Sequence, residues 1–535
     1  MKPPVEGDTM TAGESPGQAQ DGGPSHHGWW LVIVIAVSGW AYVDIWVSNR
    51  AVLASFYPGR FAIWVTAISA IGLGIAWLLQ RLLGGSRRWD RPYAVAIIAV
   101  LMLQSWKSIG ELVSRLAVTS SHAASFLLVG IGGTIAIWLA IRLVDRHPRS
   151  RAVIGVLAAF LVGYQYLVVA QFGIARALND AGSDRTPAPA DIADSPPDVL
   201  LVVLDGYGRS DVLADGFGYD NTPFEEELSR HGLQTVEGAK THYTLTTLSV
   251  ASVLDGRYPA LGLPDDSTRS ELQLIHAGDN ALFNSLRASG YEVHLFDNAW
   301  TFTRCGDSVD VCHTTPLNEL DHAVLARTPV PALLPDLRVN PTVRGSVEQL
   351  RQAVDVVSTS TARPRLTYLH ALIPHTPLQL DAQCQERFDP SLSRFEIGTS
   401  GAVPRAAYIE QLRCVNDLVS DLVAAAPADA VILITSDHGP RWAGTDPAKD
   451  PDATDLEALA RIGTFTAVRF PDTCATVPNG APLMIVSSLL FDCLGVPIDV
   501  ERERDPRQPP RYFSQTRAGE GFDVVEITER VSLLP

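Results

Sequence analysis

Five side chains able to do acid–base chemistry or bind a metal stand at or near the ends of apolar, strand-length runs in the second half of this 535-residue chain. They are Asp205 in DVLLVVLDG (198–206), His370 and His375 in RLTYLHALIPH (365–375), and Asp437 and His438 in AVILITSDHG (430–439). Each run reads as a buried strand, as does EVHLFDN (292–298), with its polar residues gathered at the C-terminal end, where open α/β sheets bind their ligands. The segment AKTHYTLTTLSVASVLDGRYP (239–259) adds hydroxyl groups to these acids and imidazoles. Thr246 and Thr247 precede the apolar run LSVASVL, which Gly256 closes, so a helix is expected to begin near Thr247 and to stop at that glycine. Unpaired N–H groups at such a helix start suit a phosphate. Taken alone, the segment is more plainly explained by Thr and Ser residues that cap the helix.

Strand-length runs alternate with helix-like stretches through this half, which predicts a largely parallel sheet covered by helices on both faces. The first half is different in kind. A membrane-spanning helix needs about 20 predominantly apolar residues, and five segments qualify, near Trp29 to Val47, Phe61 to Leu83, Pro92 to Trp106, Ala124 to Val144 and Val153 to Ile174. The third is short, and KSIGELVSRLAVTSSHA after it has the spacing of a helix lying on the interface. The first segment lacks a basic leader and a small-residue cleavage site, so it reads as a retained helix. Arg81, Arg87, Arg88 and Arg91 fill the second connection, and Arg142, Arg146, Arg149 and Arg151 fill the fourth. The positive-inside rule therefore puts the N-terminus in the cytoplasm and everything after residue 175 outside.

The six cysteines agree with that direction, because Cys305, Cys312, Cys384, Cys414, Cys474 and Cys493 all lie in the second half. An even number on one side fits disulfides in an oxidising compartment, and sequence proximity suggests 305 with 312, 384 with 414, and 474 with 493. A zinc site is the competing reading, but no CxxC occurs. The net charge of −17 argues against a general polyanion-binding surface, nucleic acid included. Residues 1–27 read as a disordered tail, 28–175 as the transmembrane domain, 176–197 (Ala, Pro and Asp rich) as a semi-stiff linker, 198–500 as the soluble domain, and 501–535 as a polar extension with a possible short strand.

LDG, then TTLSVASVLDGRYP, then PHTP, then TSDHG, in this order, resemble the sulfatase/alkaline-phosphatase superfamily over roughly residues 198–440, and GYDNTPFEEELSRHG resembles the segment after that superfamily's first metal-binding Asp. The resemblance implies an alkaline-phosphatase-like α/β fold. Registering GRYP on the LTGRYP of arylsulfatases puts Thr246 at the position of the nucleophile. A sulfatase of type I needs Cys or Ser there, followed by x-Pro/Ala-x-Arg, for conversion to formylglycine. This chain reads Thr-Thr-Leu-Ser-Val, which speaks against ordinary sulfate-ester hydrolysis. Threonine is what the phosphoryl-transferring members use, activated by a divalent cation. By the same resemblance the ligands would be Asp205, Thr246, Asp437 and His438, holding one ion, Mn²⁺ first, with Mg²⁺ or Zn²⁺ as alternatives. His375 matches the substrate-contacting histidine. His370, inside its strand, reads more plainly as a hydrogen-bonded core histidine than as a substrate contact, and Arg441 could meet substrate charge. No histidine follows His438, which favours a single metal over the two-metal members.

Five spans followed by an external domain with a threonine nucleophile resemble lipoteichoic acid synthases and lipid A phosphoethanolamine transferases. The implied activity is transfer of a phosphoglycerol or phosphoethanolamine group from a membrane phospholipid, through threonine, to an envelope lipid or glycan. The implied location is the bacterial inner membrane, and hydrolysis of a phosphoester is the nearest alternative.

Overall fold

The computed structural model describes residues 27–49, 57–82, 90–109, 195–259, 265–389, 402–440, 454–497, 510–518 and 521–532, with short stretches at 163–171 and 188–192 and isolated positions elsewhere. Seven strands form one sheet in the order β2-β7-β6-β1-β5-β3-β4. They are β1 (Val199–Leu204), β2 (Gln234–Thr235), β3 (Glu292–Phe296), β4 (Val311–His313), β5 (Arg365–Ala371), β6 (Val431–Ser436) and β7 (Thr466–Arg469). The five from β6 to β4 run parallel, and β7 and β2 complete one edge antiparallel. Every residue of β1, β5 and β6 is buried, which is why these strands read as unbroken apolar runs rather than as an alternation.

Side chains of β1 alternate between two cores. Leu200, Val202 and Leu204 pack with Val343, Val347 and Leu350 of one helix and with Tyr408, Leu412 and Val415 of another. Val199, Leu201 and Val203 pack on the other face with Leu248, Val250 and Leu254, and with Met484, Val486 and Leu490. The helices on this second face include α5 (Thr246–Asp255). A parallel sheet covered on both faces is the arrangement expected from the sequence. All six cysteines are paired, 305 with 312, 384 with 414, and 474 with 493.

The N-terminal apolar part shows α1 (His27–Ser38), α2 (Trp40–Ser48), α3 (Pro58–Leu82) and α4 (Asp90–Gln104). Among the described residues α3 alone is long and apolar enough to cross a membrane, or two segments qualify if α1 and α2, bent by 43°, count as one. The bend falls at Gly39, where a Cβ would collide with the Tyr166 hydroxyl and the Phe61 ring. The third expected span corresponds to α4, whose apolar part is shorter than a crossing requires. Most of the fourth and fifth expected spans, the basic fourth connection and the N-terminal tail lie outside the described residues.

The apolar part docks on one stretch of the second half. Tyr42, Ile45 and Trp46 pack on Leu320 and Val324 of α6 (Glu319–Ala326). Arg327 pairs with Asp44 at 2.6 Å, and the Trp64 indole donates to Asp321 at 2.7 Å. Arg60 pairs with the same Asp321 carboxylate. Of the expected linker, Ala190 is buried and Asp191 donates to the Gly495 carbonyl at 2.9 Å. The C-terminal extension forms a hairpin, β8 (Phe513–Ala518) and β9 (Gly521–Glu526).

Candidate active site

Thr246 is the first residue of α5, one position earlier than the apolar pattern suggests. Leu245 is the N-cap and makes no side-chain cap, so neither threonine acts as one and no side chain caps the first amides of the helix. At the other end Gly256 adopts φ +64°, and a Cβ there would sit 2.8 Å from Phe491 Cε2, which explains the glycine of GRYP.

Asp205 follows β1 directly, and Asp437 and His438 follow β6, its neighbour in the sheet. The pairing of these two strands brings the three residues to one edge. His438 Nε2 lies 3.1 Å from Thr246 Oγ1, 3.2 Å from Asp437 Oδ2 and 3.8 Å from Asp205 Oδ1. The four side chains named as ligands by resemblance therefore converge. Backbone geometry holds them: the Gly206 and His438 amides both donate to Asp437 Oδ1, at 3.0 and 2.8 Å. Ser249, three residues after Thr246, donates to the Asp437 carbonyl at 2.5 Å and shares a 2.8 Å bond with Thr241. The helix bearing the threonine is thus tied to the loop bearing the acid.

His375 lies beyond β5 on the cleft side, half-buried, its ring 6.0 Å from that of His438. Its amide donates to the Asp205 carbonyl at 3.0 Å, and its Nδ1 lies 2.8 Å from the Thr376 carbonyl, so Nδ1 carries the hydrogen. His370 differs from the expectation of a hydrogen-bonded core histidine. It is fully buried, neither ring nitrogen has a hydrogen-bond partner, and Nε2 is 4.0 Å from Asp205 Oδ2. Its pKa is pushed down to about 3 by burial, helped by His276 and His375, so it stays neutral with the lone pair of one ring nitrogen to offer. Arg441 lies outside the described residues.

Asp205 Oδ1 and Asp437 Oδ2 are buried without a hydrogen-bond partner. Burial raises both carboxyl groups well above the usual range, and for Asp437 the neighbouring Asp205 raises it further. Two adjacent buried carboxylates with free oxygens, and an imidazole with free nitrogens, are costly unless something positive sits between them. Ligand atoms of Asp205, His370 and Asp437 lie within 4.8 Å of one another. The donor set fits a divalent cation on these grounds.

Arg461 is the member of the site that its sequence does not announce. It lies near the end of α7 (Asp455–Ile462) and is buried.

 Its guanidinium reaches His438 Nδ1 at 2.8 Å and the Gly439 carbonyl at 3.1 Å, and it also donates to the Thr244 carbonyl. It therefore joins the threonine segment to the Asp437–His438 loop, and its charge favours the ionised form of both carboxylates. The close approach of this helix depends on Gly439, where a Cβ would overlap the Ala460 carbonyl. Nothing in the run LEALARIG marks the arginine, because burial alone sets it apart from a solvated one. Trp300 was missed for the same reason; its ring meets His370 edge-on at 5.7 Å and closes that side of the site.

Mouse steryl-sulfatase is 30% identical over 134 residues, which is 24% of this chain and 21% of that enzyme, so the match spans about a fifth of the relative's length. Among solved structures, the C-terminal periplasmic domain of EcEptC from Escherichia coli is 14% identical, with 65% of this chain and 98% of that one covered and a TM-score of 0.38. The integral membrane lipooligosaccharide phosphoethanolamine transferase A (EptA) from Neisseria meningitidis is 12% identical, with 88% and 95% covered and a TM-score of 0.35. The family model described as Sulfatase matches residues 197–470, more than half of the 535 residues, and the chain accordingly belongs to the sulfatase family.

Proposed function

We propose that this sulfatase-family enzyme is a membrane-bound, cation-dependent phosphoryl-group transferase. It would move a phosphoglycerol- or phosphoethanolamine-type group from a membrane phospholipid to an envelope lipid or glycan. The observation that carries the reading is Thr246, a residue that cannot become formylglycine, placed at the uncapped start of α5 with its hydroxyl 3.1 Å from His438 Nε2 and facing two buried carboxylates. Asp205, Thr246, Asp437 and His438 would hold one divalent cation, with His370 at its edge. An oxygen-rich set with imidazoles favours Mn²⁺ or Zn²⁺ over Mg²⁺. When bound, the cation supplies charge neutralisation and lowers the pKa of the hydroxyl.

In the first half-reaction Thr246 Oγ attacks phosphorus, its proton passes to the carboxylate pair, and the bond from phosphorus to the diacylglycerol oxygen breaks. His375, protonated on Nε2, gives that oxygen its proton. The N–H groups opening α5 face the charge on the phosphoryl oxygens. In the second half-reaction neutral His375 Nε2, held by the Nδ1 bond to Thr376, takes the proton of the acceptor hydroxyl, whose oxygen attacks phosphorus; the bond from phosphorus to Thr246 Oγ breaks and the carboxylate pair returns the proton to that oxygen.

The long apolar α3, the arginine distribution and the three disulfides beyond residue 300 support insertion in the bacterial inner membrane, with several spans, a cytoplasmic N-terminus and the α/β domain outside. The test is incubation of the full chain with head-group-labelled phospholipids and Mn²⁺ or Zn²⁺, followed by mass spectrometry of the peptide containing Thr246. A phosphodiester adduct on Thr246, absent in Thr246→Ala together with turnover, is expected. Full activity in Thr246→Ala with no adduct in the wild type would overturn the reading, and label released only to water would assign hydrolysis instead.

A further inference from the structure

Beyond residue 171, the large apolar side chains that stand exposed among the described residues are three: Leu333 at 67%, Leu334 at 55% and Phe388 at 43%. They are not scattered. Leu333 ends a short helix, Val330–Leu333, set between Pro329 and Pro335, and Leu334 follows it. Arg338 joins this turn to Phe388: its Nε donates to the Pro331 carbonyl at 2.8 Å, and its guanidinium lies 5.9 Å from the Phe388 ring centre. The neighbouring acid Glu386 is engaged by Arg344 at 2.6 Å, and the same arginine donates to the Asp336 carbonyl at 3.0 Å. The turn is held in place, since Thr328 donates to Leu325 O at 2.7 Å and receives the Val330 amide at 3.2 Å.

The position of the patch names its occupant. The turn that carries its leucines begins three residues after Arg327, whose guanidinium pairs with Asp44 of α2 and whose carbonyl accepts from Lys107 N, just past the end of α4. The exposed leucines therefore follow closely on a residue held against α2 and against the chain just past the end of α4, which places them near the level where α4 stops. An apolar turn at that level meets the boundary between lipid head groups and acyl chains, into which interfacial segments sink about 5–10 Å. We propose that Leu333, Leu334 and Phe388 form an interfacial anchor that dips into the bilayer and fixes the α/β domain against the membrane surface. The inference rests on the membrane insertion proposed above.

The test uses the full chain in phosphatidylethanolamine/phosphatidylglycerol nanodiscs. All six native cysteines are paired, so one introduced thiol takes a single environment-sensitive NBD label. Labels go on Leu334→Cys, on Phe388→Cys, on Ile71→Cys of the exposed face of α3, and on Thr361→Cys, exposed just ahead of β5 at the end of the sheet away from the site. Blue-shifted emission at 334 and 388, with most of the intensity lost to lipids spin-labelled near the head group, is expected, while 361 shows neither. If 71 emits blue-shifted and 334 and 388 behave like 361, the anchor is refuted and the membrane reading stands. If 71 shows no blue shift, both fail. A shift at 334 that follows protein concentration and ignores quencher lipids would assign the patch to a second copy of the chain and overturn the proposal.

Discussion

Replacing Asp437 with asparagine should make the metal-free protein more stable while abolishing its activity. The Asp437 side chain is fully buried, and Oδ1 accepts from the Gly206 and His438 amides, which an asparagine carbonyl can also do. Oδ2 is approached only by His438 Nε2 at 3.2 Å and Asp205 Oδ1 by the same nitrogen at 3.8 Å, and neither oxygen accepts a hydrogen bond. With ligand atoms of the two acids within 4.8 Å, a pair of full charges repels by about 3 kcal/mol at an effective dielectric constant of about 20. Protonation relieves part of this, as the upward shift of both groups indicates, so a gain of about 1–3 kcal/mol is expected for the variant. At about 2–4 °C per kcal/mol that is a rise of several degrees in melting temperature. The assay is thermal melting of the detergent-solubilised full chain at pH 8 by tryptophan fluorescence, after chelation and again with Mn²⁺ or Zn²⁺. Cation should stabilise the wild type and leave the variant almost unmoved, so that the order reverses. A metal-free variant that melts at or below the wild type, or an equal cation-induced rise in both, would refute the account of the site as an acid pair awaiting positive charge.

Gly256→Ala should destabilise the domain by about 2–5 kcal/mol, of which about 1–2 kcal/mol comes from the left-handed backbone and about 1–3 kcal/mol from overpacking against Phe491. Combining it with Phe491→Leu should recover part of the second share and none of the first, measured by melting of all four proteins; full recovery would contradict the backbone argument. His242 is buried, stacks on Tyr512 and donates from Nδ1 to the Arg511 carbonyl, and burial depresses its pKa to about 4. A histidine depressed on folding contributes stability that is complete above the unfolded value near 6.5 and is lost as pH falls toward 4, with a ceiling of about 3 kcal/mol. Amide protection in the β8–β9 hairpin should therefore fall across that window, less so in His242→Phe, and protection unchanged down to pH 4 would exclude the linkage.

The sheet and its functional edge were legible because a parallel strand buried on both faces leaves an unmistakable apolar run, and Asp205, Asp437 and His438 end such runs. The start of α5 was legible to within a residue, since an apolar run closed by a glycine constrains it from the far end. His370 was misjudged, because a histidine inside a buried strand looks the same whether its nitrogens are satisfied or bare, and only the register of β5 against β1 sets it opposite Val203, two positions before Asp205. Arg461 was illegible, and of the β8–β9 hairpin only one possible strand could be read, for a related reason. Both act through contacts with residues distant in sequence, Thr244 and His438 for the arginine and residues 242–244 for the hairpin, and no local periodicity encodes such partners.

The stretch 297–328 joins two properties that the sequence presents as separate. Its C-terminal part carries Asp321 and Arg327, which bind Arg60, Trp64 and Asp44 of the N-terminal part. Its N-terminal part carries Thr301, whose carbonyl accepts from the Tyr57 hydroxyl at 2.9 Å, next to Trp300, which closes on His370. From Tyr57 to Asp205 the path runs through one hydrogen bond, one peptide unit, one ring contact and the 4.0 Å gap between His370 and Asp205. Asp321 also caps its own helix through a capping box with Asn318, so the carboxylate that receives Arg60 and Trp64 sets the orientation of α6 as well. A freely swinging domain on a flexible linker would make no use of partly buried polar contacts of this kind, since each costs desolvation that only a fixed geometry offsets. The apolar helices therefore hold the α/β domain in one orientation, with a wall of the active site built into the joint.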